Sequence, residues 1–386
     1  MNIRELSTAG FRNLKPGKFS PCTGVNLLCG ENGQGKTNLI EACWLFTGAR
    51  SFRGARDAEM VAFGEEEAAL RLSFFAAGRE QEAQIRIRGR RSATLNGVPQ
   101  PSAAKLAGRL CGVVFSPAHL SLIREGPEGR RRFIDAAYYQ IRPGYVATMA
   151  EFKKVLAQRT AFLRQTAERA MSTADIAAQL PLWDHALAAA GARITAARLR
   201  YVRRLRPLAA EIYAGLSAGR ETLSLSLLSD GLPPEMSASG ADDLPDAPID
   251  AVAIAARWES VLQSSTRADL ATGTCTAGPH REELEVLLDG KHARTFGSQG
   301  QQRSAVLALK LAEAQLLEQT IGEPPMVFLD DVMSELDLGR QDHILNHIEG
   351  RQVFITCCEP STPLRMTAGR VFSVTQGEIT GSGCGG

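Results

Sequence analysis

The sequence predicts an α/β fold in which a mixed sheet is interrupted by an inserted, mainly helical arm. Three observations carry this prediction. A glycine-rich stretch, "GENGQGKT" at 30–37, stands between an apolar run and a helical one. A second apolar run, "PMVFLDD" at 325–331, ends in paired acids. Between the two, from about 145 to 216, the chain is alanine-rich with apolar residues at helical spacing: Phe152, Val155 and Leu156, then Ile194, Val202 and Leu205.

In chain order, residues 1 to about 120 read as short strands and turns with one helix. Segments 3–14, 25–30, 68–75 and 83–89 alternate or run apolar as strands do. "LNGVPQP" at 95–101 carries an Asn-Gly turn signal. These strands are expected on a sheet that also holds the glycine loop. In the helical region, Ser172 and Pro181 are expected to bracket a turn between two antiparallel helices. The second would run about 50 Å if continuous, with Gly191 and Pro207 bending it. The stretch 230–250, rich in Pro, Gly, Ser and acids, reads as a mobile loop. Helix 305–319 and strands 325–331 and 352–358 then form an α/β crossover, and GSGCGG is a floppy end. The expected division is a head at 1–125, a helical arm at 126–270 and the returning head at 271–386.

A chain of 386 residues is long for one core, which agrees with this division. The net charge of +2 assigns no partner, but its distribution is uneven. Residues 121–220 hold 17 Arg or Lys against 8 Asp or Glu, whereas 221–250 holds seven acids and no base. A basic arm can contact phosphate backbones, and a solvated helix face explains the same counts. The eight cysteines include no CxxC pair, which points to reduced thiols rather than zinc or disulfides. With no signal-peptide start and no window of about 18 apolar residues, a soluble, cytoplasmic protein without membrane partners is expected.

Gly30, Glu31, Asn32, Gly33, Gln34, Gly35, Lys36 and Thr37 fit G-x-x-x-x-G-K-[ST] without gaps, and the flanks are those the motif requires. Glycines let backbone N–H groups converge on phosphates, and the following helix adds its positive dipole end. Lys36 would neutralise β/γ-phosphates and Thr37 would ligate magnesium. Asp330, at the tip of the apolar strand, would hold the same ion, and Asp331 would orient or deprotonate an attacking water. Together they predict an Mg2+-dependent nucleoside triphosphatase; that the nucleotide is ATP follows only from the resemblance below.

The segment "FGSQGQQRSAVLALKLAEAQLL" (296–317) is a polar turn leading into a long helix. Its Gly297-Ser298-Gln299-Gly300-Gln301 resembles the Leu-Ser-Gly-Gly-Gln signature of ABC-type ATPases, and "SELD" (334–337) resembles their D-loop. The resemblance implies an ABC-type P-loop head in which Ser298 and Gly300 contact a nucleotide held by another subunit. "LSTAGFRNL" resembles the opening strand of the SMC-like branch, and implies that Arg12 and Asn13 lie near the nucleotide. Segments 48–64, 113–135 and 276–284, together with the total length, resemble the RecF family of bacterial recombination mediators. That likeness implies an ATP-dependent homodimer that binds single- or double-stranded DNA at gaps and stalled forks. It also implies slow ATP hydrolysis and action with RecR and RecO.

Two departures bear on rate. Asp331 stands where transporters carry a catalytic glutamate, and the strand at 352–358 ends Thr356-Cys357-Cys358 where they have a histidine. The transporters' Q-loop glutamine has no counterpart around Ser116 and Pro117. Both readings of Arg130, Arg131 and Arg132, DNA phosphate contact and internal salt bridges, stay open. His280 reads as structural or interfacial. Competing functions are a transporter motor subunit and a non-hydrolysing scaffold that uses ATP as structural glue.

Overall fold

In a computed structural model, which describes residues 1–168, 171–237, 248–359 and 369–381, the chain forms three sheets and a helical layer. The first half runs β1 (Asn2–Ala9), β2 (Gly17–Phe19), β3 (Val25–Cys29), α1 (Lys36–Trp44), β4 (Ala68–Ala76), β5 (Arg79–Arg88), β6 (Arg90–Leu95), β7 (Val98–Gln100) and β8 (Gly112–Phe115). The helical region follows as α2 (Pro117–Leu120), α3 (Pro127–Ile141), α4 (Tyr145–Glu168), α5 (Thr173–Leu216), β9 (Leu223–Leu228), α6 (Pro234–Ser237) and α7 (Ala251–Thr272). The return comprises β10 (Glu283–Leu288), β11 (Lys291–His292), α8 (Ala293–Phe296), α9 (Gln299–Ile321), β12 (Met326–Leu329), α10 (Leu338–His347), β13 (Val353–Cys357), β14 (Arg370–Thr375) and β15 (Glu378–Gly381).

The central sheet has the order β15-β14-β3-β13-β12-β8 and is parallel except for the β14–β15 hairpin. Its strands β8, β12 and β13 are buried throughout, as parallel strands covered on both faces must be. Successive side chains of β12 go to opposite faces. Met326 and Phe328 join the core shared with α1 and an antiparallel sheet, β2-β1-β4-β5-β6-β7. Val327 and Leu329 join the core shared with α3, α5 and α9.

Two expectations are corrected here. The glycine loop does not share a sheet with the strands at 3–14, 68–75 and 83–89; β3 belongs to the parallel sheet, while β1, β4 and β5 form the antiparallel one. The neighbours of β3 are β13 and β14, which local patterning cannot supply. Pro181 is not at a turn. Helix α5 begins at Thr173, with the Ser172 hydroxyl accepting from Asp175 N, and runs 44 residues through both Pro181 and Pro207. That is about 66 Å of helix. Each proline removes a backbone bond at a cost of about 3 kcal/mol, which the buried stripe from Leu180 to Tyr213 offsets.

Gly191 serves close packing: a β-carbon there would come within 3.1 Å of the Pro279 ring. Its helix α5 lies against α7 and α9, and residues of 126–270 and of 271–386 share one continuous hydrophobic core. The loop expected at 230–250 has its segment 238–247, and the expected floppy end its last five residues 382–386, outside the described residues. Among the described residues no helix is long and apolar enough to cross a membrane.

Candidate functional site

The phosphate loop leaves the C-terminal end of β3, in the middle of the parallel sheet, and enters α1 at Lys36. Gly30 has φ 155°, and a β-carbon there would lie 2.3 Å from Val374 O, so only glycine lets β14 approach. Gly35 caps α1 at φ 117°, with Asn13 Oδ1 2.9 Å from its would-be β-carbon. Two distant segments brace the loop. Asn13 Nδ2 donates to Gly33 O at 3.0 Å, and Asn13 Oδ1 accepts from Asn38 Nδ2 at 2.7 Å. From the β14–β15 turn, Gly377 N donates to Gln34 O at 2.8 Å, and Gln376 N to Gln34 Oε1 at 2.5 Å.

The Lys36 ammonium is buried and donates to Gly30 O and, at 2.9 Å, to Glu31 O. Thr37 Oγ1 donates to Asp330 Oδ1 at 2.8 Å, joining residues 293 apart in sequence. Asp330 is 4% exposed and its N–H donates to Phe115 O on β8 at 2.9 Å. Burial pushes its carboxyl above the usual range. Hydrogen bonds from Thr37 and Thr356 oppose that rise, Asp331 adds to it, and Arg53 counters it. Asp331 follows at φ 56° and lines the cleft. This cleft of about 200 Å³ is lined by the loop from Glu31 to Thr37 with Asn38, Arg53, Asp331 and Thr356.

A hydroxyl and a carboxylate, both hard oxygens 2.8 Å apart, fit magnesium, which takes one or two protein oxygens and keeps phosphate and water for the rest. Among the described residues no group of three or more His, Cys, Asp or Glu is gathered to hold a metal by itself.

Arg12 lies behind the loop. Its guanidinium pairs with Glu41, fully buried on α1, with Nε 2.9 Å from Oε2, and also donates to Glu59 O. It therefore anchors α1, while its neighbour Asn13 touches the loop itself. Ser298 and Gly300 sit elsewhere, at the N-terminus of α9. The Ser298 hydroxyl accepts from Gln301 N at 3.2 Å and Gln301 Oε1 accepts from Ser298 N, a reciprocal cap. Arg340 and Arg303 tie this turn to the D-loop: Arg340 Nε donates to Ser304 Oγ at 2.9 Å, and Arg303 pairs with Glu335 at 3.2 Å. The surface around Ser298 is exposed and includes Phe296 (67%) and Leu338 (62%).

The arginine run is divided by the helix it occupies. Arg130 is 4% exposed, paired bidentately with Glu283 and donating to Leu122 O, Ile123 O and Glu125 O. Arg131 donates to Glu282 O at 2.7 Å. The internal salt bridge is thus the right reading for Arg130; Arg131 is half-buried on a backbone carbonyl, and Arg132 is exposed, 3.8 Å from Glu128. His280 is structural, with Nε2 3.1 Å from Cys275 O and burial lowering its pKa. Sequence reasoning missed Asn38, Arg53 and Thr356. Asn38 directly follows the motif, but Arg53 and Thr356 reach the cleft from segments whose patterns give a family likeness and a strand without placing either side chain at the site.

A phosphate loop on a parallel sheet, an acid-tipped strand across from it and a capped signature helix define an ABC-type P-loop ATPase head of the SMC-like class. The model of the RecF/RecN/SMC N-terminal domain family matches residues 2–380. The chain is 38% identical over 387 residues to the DNA replication and repair protein RecF of Synechococcus sp. strain JA-3-3Ab, covering 99% of this chain and 98% of the relative. It is 33% identical to that of Agathobacter rectalis over 383 residues, 98% of this chain and 99% of the relative. A solved structure of the recombination mediator protein RecF with ATP, in the RecFOR pathway, superposes with a TM-score of 0.87 at 32% identity, covering 99% and 97% of the two chains. An Smc head bound to the C-winged-helix domain of ScpA shares the fold alone, at TM-score 0.53 and 16% identity over 98% of this chain and 96% of that one. The chain belongs to the RecF family of DNA replication and repair proteins.

Proposed function

We propose that this chain is an ATP-switched clamp of DNA repair acting in the cytoplasm. It binds ATP and magnesium in the cleft of Lys36, Thr37 and Asp330 and closes as a homodimer on nucleotide. It holds single- or double-stranded DNA at gaps and stalled forks, and works with RecR and RecO. The observation that carries this reading is the 2.8 Å bond between Thr37 and Asp330, which places the loop hydroxyl and the strand-tip acid in one site. Bound magnesium would neutralise developing charge on the transferred phosphoryl group. Asp331 orients the attacking water and takes its proton. Slow hydrolysis, suited to a timing switch, fits an aspartate at that position and Thr356-Cys357-Cys358 where transporters carry a histidine.

Dimerisation is supported by the exposed surface of Phe296, Ser298 and Leu338, which presents the N-terminus of α9 outward. Ser298 and Gly300 of one copy would complete the site of the other. Ser298→Arg is therefore expected to keep ATP affinity within about threefold of wild type, since it lies outside the cleft, and to abolish the ATP-dependent dimer. Size-exclusion chromatography with ATP, ADP and no nucleotide, repeated with gapped duplex, tests dimer, switch and DNA together. A dimer in ATP for both the mutant and the wild type would refute the role of Ser298. Phosphate release with and without DNA separates the clamp from a scaffold that never hydrolyses.

A further inference from the structure

Thr356 stands next to last on β13, the strand that runs parallel beside β12 and its two terminal acids. It is 2% exposed, yet it reaches the cleft. Its hydroxyl is shared between consecutive acids. Oγ1 accepts from Asp331 N at 2.8 Å and donates to Asp330 Oδ1 at 3.2 Å. Asp331 has φ 56°, a left-handed conformation that costs a non-glycine residue on the order of 1 kcal/mol. A conformation of that kind persists only where its surroundings hold it, and the bond to Thr356 fixes the amide at its centre. The Thr37 hydroxyl is the group that the loop offers to a cation, whereas the Thr356 hydroxyl is spent on the acids. A β-branched side chain on a strand has a restricted χ1, which makes threonine a stiff mount for such a bridge.

We propose that Thr356 is the positioning residue of this site: through its hydroxyl it sets the carboxylate of Asp330 for magnesium and the backbone turn that aims Asp331. The proposal rests on the reading of the cleft as a magnesium–ATP site. Groups that orient a metal ligand are worth about 10- to 100-fold in metal affinity. Removing this one takes a hydrogen bond from the part-buried Asp331 amide and from the buried Asp330 carboxylate.

Thr356→Val keeps the shape and removes the hydroxyl; Thr356→Ala repeats the loss without the β-branch; Thr356→Ser restores the hydroxyl. Each is measured by equilibrium binding of ATP in EDTA, by binding across a magnesium titration, by phosphate release, and by its thermal midpoint. The valine and alanine variants are expected to bind ATP in EDTA within about twofold of wild type. The magnesium concentration that tightens binding should rise about tenfold or more, and phosphate release should fall at least as far. Serine should stay within about threefold of wild type throughout. Wild-type magnesium dependence in either hydroxyl-free variant overturns the proposal. So does a serine variant as impaired as valine, or a loss of affinity in EDTA as large as the loss in magnesium. A wild-type chain whose ATP affinity ignores magnesium overturns the functional reading together with it.

Discussion

Replacing Lys36 with alanine is expected to weaken ATP binding by roughly a hundredfold or more while leaving the chain folded. The ammonium is buried and held over the loop by bonds to Gly30 O and Glu31 O, so it is positioned before any phosphate arrives. Hydrogen bonds to charged groups contribute about 1.5–3 kcal/mol each, and every 1.4 kcal/mol is about tenfold in affinity. The contacts Lys36 makes are to carbonyls of its own loop and, at 3.9 Å, to Cys358 Sγ, so the head core does not depend on it. Titration with a fluorescent ATP analogue checks the loss, and the thermal midpoint checks the fold. Unchanged affinity would place the triphosphate elsewhere.

Arg198→Ala is expected to produce the largest loss of stability, about 3–5 kcal/mol, the usual result of stranding one member of a buried ion pair. Arg198, on α5, is 4% exposed. It pairs with Asp135 of α3 at 2.9 Å and with the fully buried Glu282 at 2.8 Å, and it donates to Pro279 O at 2.6 Å. Burial works against its charge, but Glu282 and Asp135 outweigh that effect and hold the guanidinium above its usual pKa. The residue thus fastens α5 to α3 and to the segment 279–282 that leads into β10. Urea unfolding followed by circular dichroism gives the shift in midpoint. Arg198→Ala combined with Glu282→Gln should recover part of the loss, because the more deeply buried of the two stranded carboxylates is then neutral. No recovery in the double variant would show that packing of the arginine stem, rather than the pair, supplies the stability.

The motifs were legible because their chemistry is local. A phosphate cradle needs glycines, a lysine and a threonine at fixed offsets on one strand–loop–helix unit, and 30–37 supplies them contiguously. Ser298 could likewise be read as a cap, since its reciprocal partner Gln301 is three residues away. The run Arg130-Arg131-Arg132 was not legible, although its composition is uniform. Successive positions on a helix turn by about 100°, so Arg130 faces Glu283 in the interior while Arg132 faces solvent.

Residue types alone settle the chemistry of the loop, the acid-tipped strand and the alternation of sheet and helix, because each is written within one turn or one strand. The tertiary structure alone decided which sheet carries the loop, that Arg12 clamps Glu41, and that Arg53 and Thr356 reach the cleft. Those outcomes depend on strands and side chains that meet across long separations, as Gln376 meets Gln34 over 342 positions. Pairings of that kind follow from burying two faces of one parallel sheet, which no local pattern encodes.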